Sequence, residues 1–531
     1  MKGDSLSYSI FIIINRKLSY YNMKIIFKER AMGKGFIKVQ LFTAKDVFPI
    51  SGGNIFIIES TAIDFDKGKV LTTDDCGVSK TQSVTTPDKS VSENSASTEV
   101  PYALYDIYVR VKGYRDAAVE GVQVFPDVIS IQKIEMIPTK KERVFLEEPE
   151  FNCISSHQLM ILSPRDKIEG AKAGTCGIVQ PYIPENITVH LGAPTSYAEN
   201  VTLSFLEYIK NVACSEIYPT WPEAAIKANI YAEISFALNR VYTSWYRNMG
   251  HAFEVTNSTA YDQSFVKGRN IYENIARIVD DIFNEYITGG GSKEPLLAQY
   301  CNGTTVTCTG LSQWGTVSLA NNGYGALDIL KNYYGNDIVF ERANDIKGIE
   351  EPYGGTELKI GSTGKDVEVI QSQLNRIAKN HSSIKKIEEV NGEFCENTEK
   401  AVKAFQEIYN LNSNGIVGRA TWCKLALVNN TMRKIAELHE EGEKEYNKGV
   451  CPEYLLRYGD SGTAVREFQC YLSLIGQYYS VIPPIMVNGE FEVNTKAAVL
   501  AFQKKFNNID VDGIVGKQTW DKMYEIYCDL R

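Results

Sequence analysis

At 531 residues the chain is longer than one ordinary core, a length that corresponds to about three or four domains. Hydrophobic residues make up 44% and charged residues 23%, a balance that excludes whole-chain disorder. The net charge of −9 argues against a nucleic-acid binder, which needs a basic surface to displace phosphate counterions.

Residues 1–35 are an uncertain leader or an upstream start, with Met23 and Met32 as other possible starts. The apolar run at residues 10–14 gives way at once to Asn15, Arg16 and Lys17, too short for a membrane span and without the cleavage site of a secretory signal. No membrane insertion is expected. From Phe36 the chain alternates in strand fashion, first in Phe36-Ile-Lys-Val-Gln-Leu-Phe and then in Asn54-Ile-Phe-Ile-Ile. Further extended runs lie at residues 107–111, 122–125 and 128–137, so a β-sandwich-like domain is expected over 36–139. Residues 72–100 are rich in Ser, Thr, Asp and Lys and are expected to be a disordered insert. A charged linker follows at 140–184, and its stretch 140–150 reads either as a processing site for a protease or as a plain connector.

Residues 185–345 turn α-rich and are expected to be a mixed α/β domain. Phe205, Ile209 and Val212 share a helical face, and Pro222 suits the first position of a second helix carrying Ile226, Ile230, Ile234, Leu238 and Val241. Glu216 falls at the corner between them, beside Tyr218 and Trp221. Residue type alone leaves two readings for it, a surface glutamate or a desolvated acid able to donate a proton. Eleven cysteines include no CxxC pair, and the five histidines form no HExxH, so no metal site and no cofactor is expected. Cys301 and Cys308 flank a glycine-containing loop and read either as a disulfide or as two reduced thiols.

The C-terminal third repeats itself. Gly361-Ser-Thr-Gly-Lys-Asp-Val returns as Gly459-Asp-Ser-Gly-Thr-Ala-Val, and Asn391-Gly-Glu-Phe as Asn488-Gly-Glu-Phe. Ala401-Val-Lys-Ala-Phe-Gln returns as Ala498-Val-Leu-Ala-Phe-Gln, and Gly415-Ile-Val-Gly with Thr421-Trp422 as Gly513-Ile-Val-Gly with Thr519-Trp520. The offset is 97 or 98 throughout. Each copy reads as a small three-helix module, at 356–427 and 456–528, with a linker at 428–455 between them. These units resemble the widespread three-helix peptidoglycan-binding module. Phe405, Phe502, Trp422 and Trp520 are assigned to its core, and ligand contact is expected on the loops at Asn391, Gly392, Asn488 and Gly489. Two copies raise avidity for a repeating polymer.

The middle region carries a second resemblance. Val212-Ala-Cys-Ser-Glu216-Ile-Tyr-Pro-Thr-Trp-Pro, Thr256-Asn-Ser-Thr-Ala-Tyr-Asp-Gln263-Ser-Phe-Val-Lys-Gly, Gly310-Leu-Ser-Gln313-Trp-Gly and Ile329-Leu-Lys-Asn-Tyr-Tyr-Gly follow in the order of the stage II sporulation protein D family. That family usually carries a His before the Gly-x-Ser-Gln motif, where this chain has Cys308-Thr309, so no zinc is expected. The whole arrangement is similar to that of the clostridial spore cortex-lytic enzymes. The resemblance implies a lytic transglycosylase acting on cortex peptidoglycan in germination, with Glu216 as acid and base. It also implies synthesis in the mother cell without a signal peptide, residence at the spore cortex or coat boundary, and a leader removed by a subtilisin-like protease. Tyr218, Trp221, Asp262, Gln263, Ser312 and Gln313 are the expected substrate-binding residues. Gln263, Ser312 and Gln313 also read as turn caps, and Asp262 as a second carboxylate that keeps hydrolysis open. An amidase and a non-catalytic wall-binding protein remain as other readings.

Overall fold

The computed structural model describes residues 32–45, 47–62, 68–139, 150–160, 180–304, 309–349, 353–443, 449–506 and 509–530. Residues 33–531 form one compact unit. Its architecture is α+β: a two-sheet leader, a mixed middle region and two three-helix modules.

The leader opens with β1 (Met32–Thr43), β2 (Phe48–Pro49), β3 (Asn54–Glu59), β4 (Lys69–Thr72) and β5 (Gln82–Pro87). A five-residue helix α1 (Lys89–Glu93) follows, and then β6 (Ala103–Arg110), β7 (Ala117–Val124), β8 (Ile129–Glu135) and β9 (Glu150–Cys153). Along β1 the side chains of Ile37, Val39 and Leu41 face one core, the period-two pattern of a half-buried strand. That core is shared with Ile55 and Ile57 of β3, Ile107 and Val109 of β6, and Val122 and Val124 of β7, as a sandwich requires.

The supposed insert is not disordered. Within 72–100, Asp88 caps α1 by accepting from the Ser90 amide at 2.9 Å, β5 pairs with β1, and Ser92 is wholly buried. Low apolar content hid strand residues such as Val84 and Thr86, which need only one neighbour to pair with. Two strands that follow residue 139 in the chain, β9 and one from the middle region, complete its sheets. β9 pairs in parallel with β7, from Ala117 opposite Glu150 to Glu120 opposite Cys153. β13 (Ile271–Tyr272), from the middle region, pairs antiparallel with β8. Of the expected processing stretch 140–150, residues 140–149 lie outside the described residues, and Glu150 opens β9.

In the middle region β10 (Asn186–His190) pairs with β11 (Asn200–Ser204) and, in parallel, with β12 (Val255–Thr256). Helices α2 (Phe205–Glu216), α3 (Glu223–Tyr242) and α4 (Trp245–Asn248) lie between β11 and β12 in the chain. Beyond β13 come α5 (Glu273–Ile282), β14 (Glu285–Thr288), β15 (Tyr300–Cys301), β16 (Leu311–Ser312), α6 (Gln313–Asn321), α7 (Ala326–Tyr334) and β17 (Val339–Arg342). Helix α3 is buried on nearly every face and forms the axis around which the others pack.

Module 1 is α8 (Lys365–Ile377), α9 (Glu396–Ile408) and α10 (Arg419–Glu443); module 2 is α11 (Thr463–Tyr478), α12 (Val493–Lys505) and α13 (Lys517–Leu530). The expected linker at 428–455 is largely helix. Helix α10 runs on to Glu443 because Val428, Met432, Ile435 and Leu438 continue its buried stripe, and neither Gly nor Pro interrupts it before Gly442. Among the described residues no helix is long and apolar enough to cross a membrane.

Candidate active site

Helix α2 begins where the Ser204 hydroxyl accepts from the Glu207 amide at 3.2 Å, and it ends at Glu216. Ile217 then turns extended, and Pro219 and Pro222 prevent the helix from continuing. Glu216 therefore projects from a helix end into the molecule, 1% exposed.

Donors from three distant segments meet at its carboxylate. The Ser264 amide donates to Oε1 at 2.8 Å, the Tyr300 hydroxyl to Oε1 at 3.4 Å, and Gln313 Nε2 to Oε2 at 3.3 Å. Gln313 also donates to the Glu216 carbonyl at 3.3 Å, which fixes both ends of the residue. Gln263 stands one step back. Its Nε2 donates to Tyr300 Oη at 3.1 Å and to the Glu233 carbonyl at 3.1 Å, while its Oε1 accepts from Tyr208 at 3.0 Å. Ser312 does the other job the sequence allowed, capping α6 by accepting from the Gly315 amide at 3.0 Å.

Glycine is required at position 310 of this motif, and at position 315 a larger residue would displace Tyr333. A Cβ at Gly310 would lie 1.8 Å from the Gln299 carbonyl oxygen, and one at Gly315 would lie 2.0 Å from Tyr333 Oη.

Asp262 is not an open second carboxylate. Its oxygens accept from Arg240 Nε at 2.8 Å, Tyr246 Oη at 2.7 Å, and the Thr256 amide and hydroxyl, both at 2.9 Å. It braces the loop that carries Gln263 and Ser264.

A second buried carboxylate is Glu233 of α3, 1% exposed, which no sequence motif indicated. Burial, and after it the charge of Glu216, drives its carboxyl well above the ordinary range. Tyr300 also carried no local signal, since its hydroxyl reaches the site from β15 through tertiary packing alone.

The corner after Glu216 is lined with rings. Tyr218 lies 5.6 Å from Trp221 and 6.0 Å from Trp314, and the two tryptophans are 4.8 Å apart, all centroid to centroid. The leader covers this corner. Trp221 Nε1 donates to the Ser92 carbonyl at 3.2 Å, and the Thr220 hydroxyl donates to Ser92 Oγ at 2.9 Å. Phe125 of the leader stacks 5.2 Å from Tyr218, and the His157 ring lies 4.8 Å from it. Burial, reinforced by the nearby Arg269 charge, keeps the His157 imidazole well below its usual range and therefore neutral. Cys301 is disulfide-bonded, whereas Cys308 lies outside the described residues.

In the modules, two pairs of buried glutamines hold the repeat motifs. Gln371 Oε1 accepts from the Gly392 amide and its Nε2 donates to the Glu393 carbonyl; Gln469 does the same for Gly489 and Glu490. Gln406 and Gln503 likewise hold the turns at Gly415 and Gly513. Gly392 and Gly489 sit at φ +73° and +82°, a backbone that favours glycine. Asn391 and Asn488 accept from the amides two residues on, so their side chains hold the turns themselves. Beside the first turn is a groove lined by Lys365, Glu368, Val369, Ser372, Val390 and Asn429.

The model of the putative peptidoglycan binding domain matches residues 363–425 and 461–523. These are peptidoglycan-binding modules. Their helices, turns and buried glutamines correspond in both copies, and the pair makes peptidoglycan a partner of the chain and associates it with the cell wall.

Proposed function

We propose that the chain degrades spore cortex peptidoglycan during germination as a lytic transglycosylase, with Glu216 as acid and base and the two modules holding the polymer. One observation carries the reading. Two motif blocks, far apart in the chain, supply Ser264 and Gln313 to the single buried carboxylate of a third, and Gln263 reaches it through Tyr300, which lies outside the motifs. An array of this kind fixes a carboxyl group in one orientation, which a single-residue acid and base needs.

In the reaction, Glu216 gives a proton to the glycosidic oxygen as the bond to the muramyl anomeric carbon breaks. It then takes the proton of the 6-hydroxyl as that oxygen closes on the same carbon. A 1,6-anhydro ring results, and no water is consumed. In this form the leader covers the aromatic corner, so the chain is a precursor, and a subtilisin-like protease acting at 140–150 starts its activation. The protein is made in the mother cell and resides at the cortex or the coat boundary.

Mass spectrometry of digested cortex tests the reaction. Anhydro-muramyl ends are expected; reducing ends would replace the transglycosylase by a hydrolase, and free stem peptides by an amidase. The near-complete burial of Glu216 favours one other reading, a wall-binding protein with an inert middle region. Binding to cortex without any cleavage, before and after processing, would establish that alternative.

A further inference from the structure

Helix α6 serves the Glu216 site with its first turn, where Gln313 reaches the carboxylate and Trp314 joins the aromatic corner. Helix α7 then returns beside it, which sets Tyr333 against Gly315 in that same turn. On the outer side of this helix pair lies an open groove of about 450 Å³, within the size range of small-ligand sites. Asp328, Lys331, Asn332 and Asn336 line it at helical spacing along one face of α7 and its exit, and Asn322 and Tyr324 close it from the turn between the helices. The fold makes little use of these groups. The side chains of Tyr324, Asp328, Lys331, Asn332 and Asn336 form no hydrogen bond or ion pair among the described residues. Asn322 makes one bond, from its Nδ2 to the Ser318 carbonyl at 3.0 Å, and its Oδ1 stays available as an acceptor.

The lining selects a class of ligand. One Asp and one Lys leave no net charge, so a polyanion gains nothing there, and no Leu, Ile, Val, Met or Phe provides a floor for a lipid or an apolar peptide. The carboxamides of Asn332 and Asn336 each present donors and an acceptor on one head, which suits the hydroxyl and acetamido groups of an amino sugar. Tyr324, 47% exposed, adds a ring for the apolar face of a sugar, and Asp328 and Lys331 add an acceptor and a donor. We infer that this groove is a glycan subsite, which takes a stretch of N-acetylated amino sugars from the strand that is cut at Glu216. The inference rests on the proposed glycan-cleaving reading and adds to it. The modules tether the polymer at a distance, whereas the groove sits on the helix pair that positions Gln313. Helix α6, nine residues long, spans about 13 Å, so one strand can serve both places.

The groove is open with the leader in place, so the full unprocessed chain serves for the test, with a soluble tetramer of N-acetylglucosamine as the probe. Hydrogen exchange read by mass spectrometry separates binding here from binding at the modules. Exchange is expected to slow across residues 322–336 in the wild type and equally in Glu216→Gln. Tyr324→Ala and Asn332→Ala, both at exposed positions, are expected to keep their melting temperatures and to need about 5-fold more tetramer or higher for the same protection, the worth of one ordinary hydrogen bond. Protection confined to the modules, or protection at 322–336 that neither variant shifts, overturns the subsite. A glucose tetramer, which lacks the acetamido groups, is expected to bind more weakly; equal protection by it overturns the assignment to amino sugars. Cortex digests without anhydro-muramyl ends defeat the transglycosylase reading instead, and leave the protection at 322–336 standing.

Discussion

At the residue scale, Glu216 and Glu233 differ in what surrounds them, and the difference can be measured. Glu216→Gln keeps shape and removes the ionisable group, so cortex lysis is expected to fall about 10²- to 10⁴-fold while cortex binding persists. Glu223→Gln is the control, because Glu223 is exposed in the first turn of α3 and pairs with Lys227. Equal rates in wild type and Glu216→Gln, with both folded, would remove Glu216 from the chemistry. Glu233 also makes a prediction about stability. Its folded carboxyl titrates well above the value of about 4.3 in an unfolded chain, so between the two the folded state keeps a proton that the unfolded state releases. Wild-type stability therefore declines as pH rises through that window, by up to about 1.4 kcal/mol per pH unit. Glutamine does not titrate, so the melting temperature of Glu233→Gln relative to wild type should climb from pH 4 to pH 7. A difference independent of pH would contradict the buried neutral acid. Glu216 was singled out by the resemblance of its segment to a known family, since its place after a helical stripe and before two prolines left a surface glutamate also open. Glu233 was not, since on a helix buried all round no periodicity marks one glutamate as special.

At the element scale, the strands of the leader and the six module helices follow from alternation and from the repeat. What the repeat signalled and what it left unexplained are both clear in the glutamines. The Phe-Gln of each copy falls in the last turn of its second helix, and the Gln side chain is the tie that makes the Gly-Ile-Val-Gly turn possible. Gln503 accepts from the Gly513 amide at 2.8 Å and donates to the Ile514 carbonyl at 3.0 Å and to Thr519 at 3.2 Å. Gln503→Leu fills the same space and leaves those backbone groups unpaired, so module 2 should lose about 3 kcal/mol. Chemical denaturation followed by the fluorescence of Trp520, which is buried beside this turn, checks it; an unchanged midpoint would mean that water replaces the amide. The run of α10 past residue 427 was also readable from Val428, Met432, Ile435 and Leu438. It was missed because the module pattern stops at Thr421-Trp422, and the end of a motif was taken for the end of a helix.

At the scale of the whole molecule, the leader is held by contacts between residues from 33 to 334 positions apart and beyond, which no local pattern can disclose. Strand β9 begins at the last residue of the expected processing stretch, yet it completes the leader sheet beside β7. Strand β13 adds a second pairing, and Asn270 both donates to the Gln123 carbonyl at 2.8 Å and accepts from its amide at 3.1 Å. Lys133 meets Glu207 at 3.1 Å, and the Phe125, Tyr218 and Tyr272 rings interlock. The modules hold the leader too, through His381 on the Val47 carbonyl at 2.9 Å and through Ala44 and Ile137 in the core of module 2. A cut between residues 140 and 149 therefore severs the chain without removing any of these contacts. The nicked protein should elute as one species in gel filtration and separate into two pieces only in denaturant. Such a nick alone should leave Ser92 on Trp221 and the corner closed, so full activity should require a further event that strips the leader, such as engagement of cortex by the two modules. Cleavage at an engineered site in 140–149, followed by gel filtration and lysis assays, decides the point. Prompt loss of the leader on nicking, with full activity, would show that the covalent link, and not the shared sheet, keeps the corner covered.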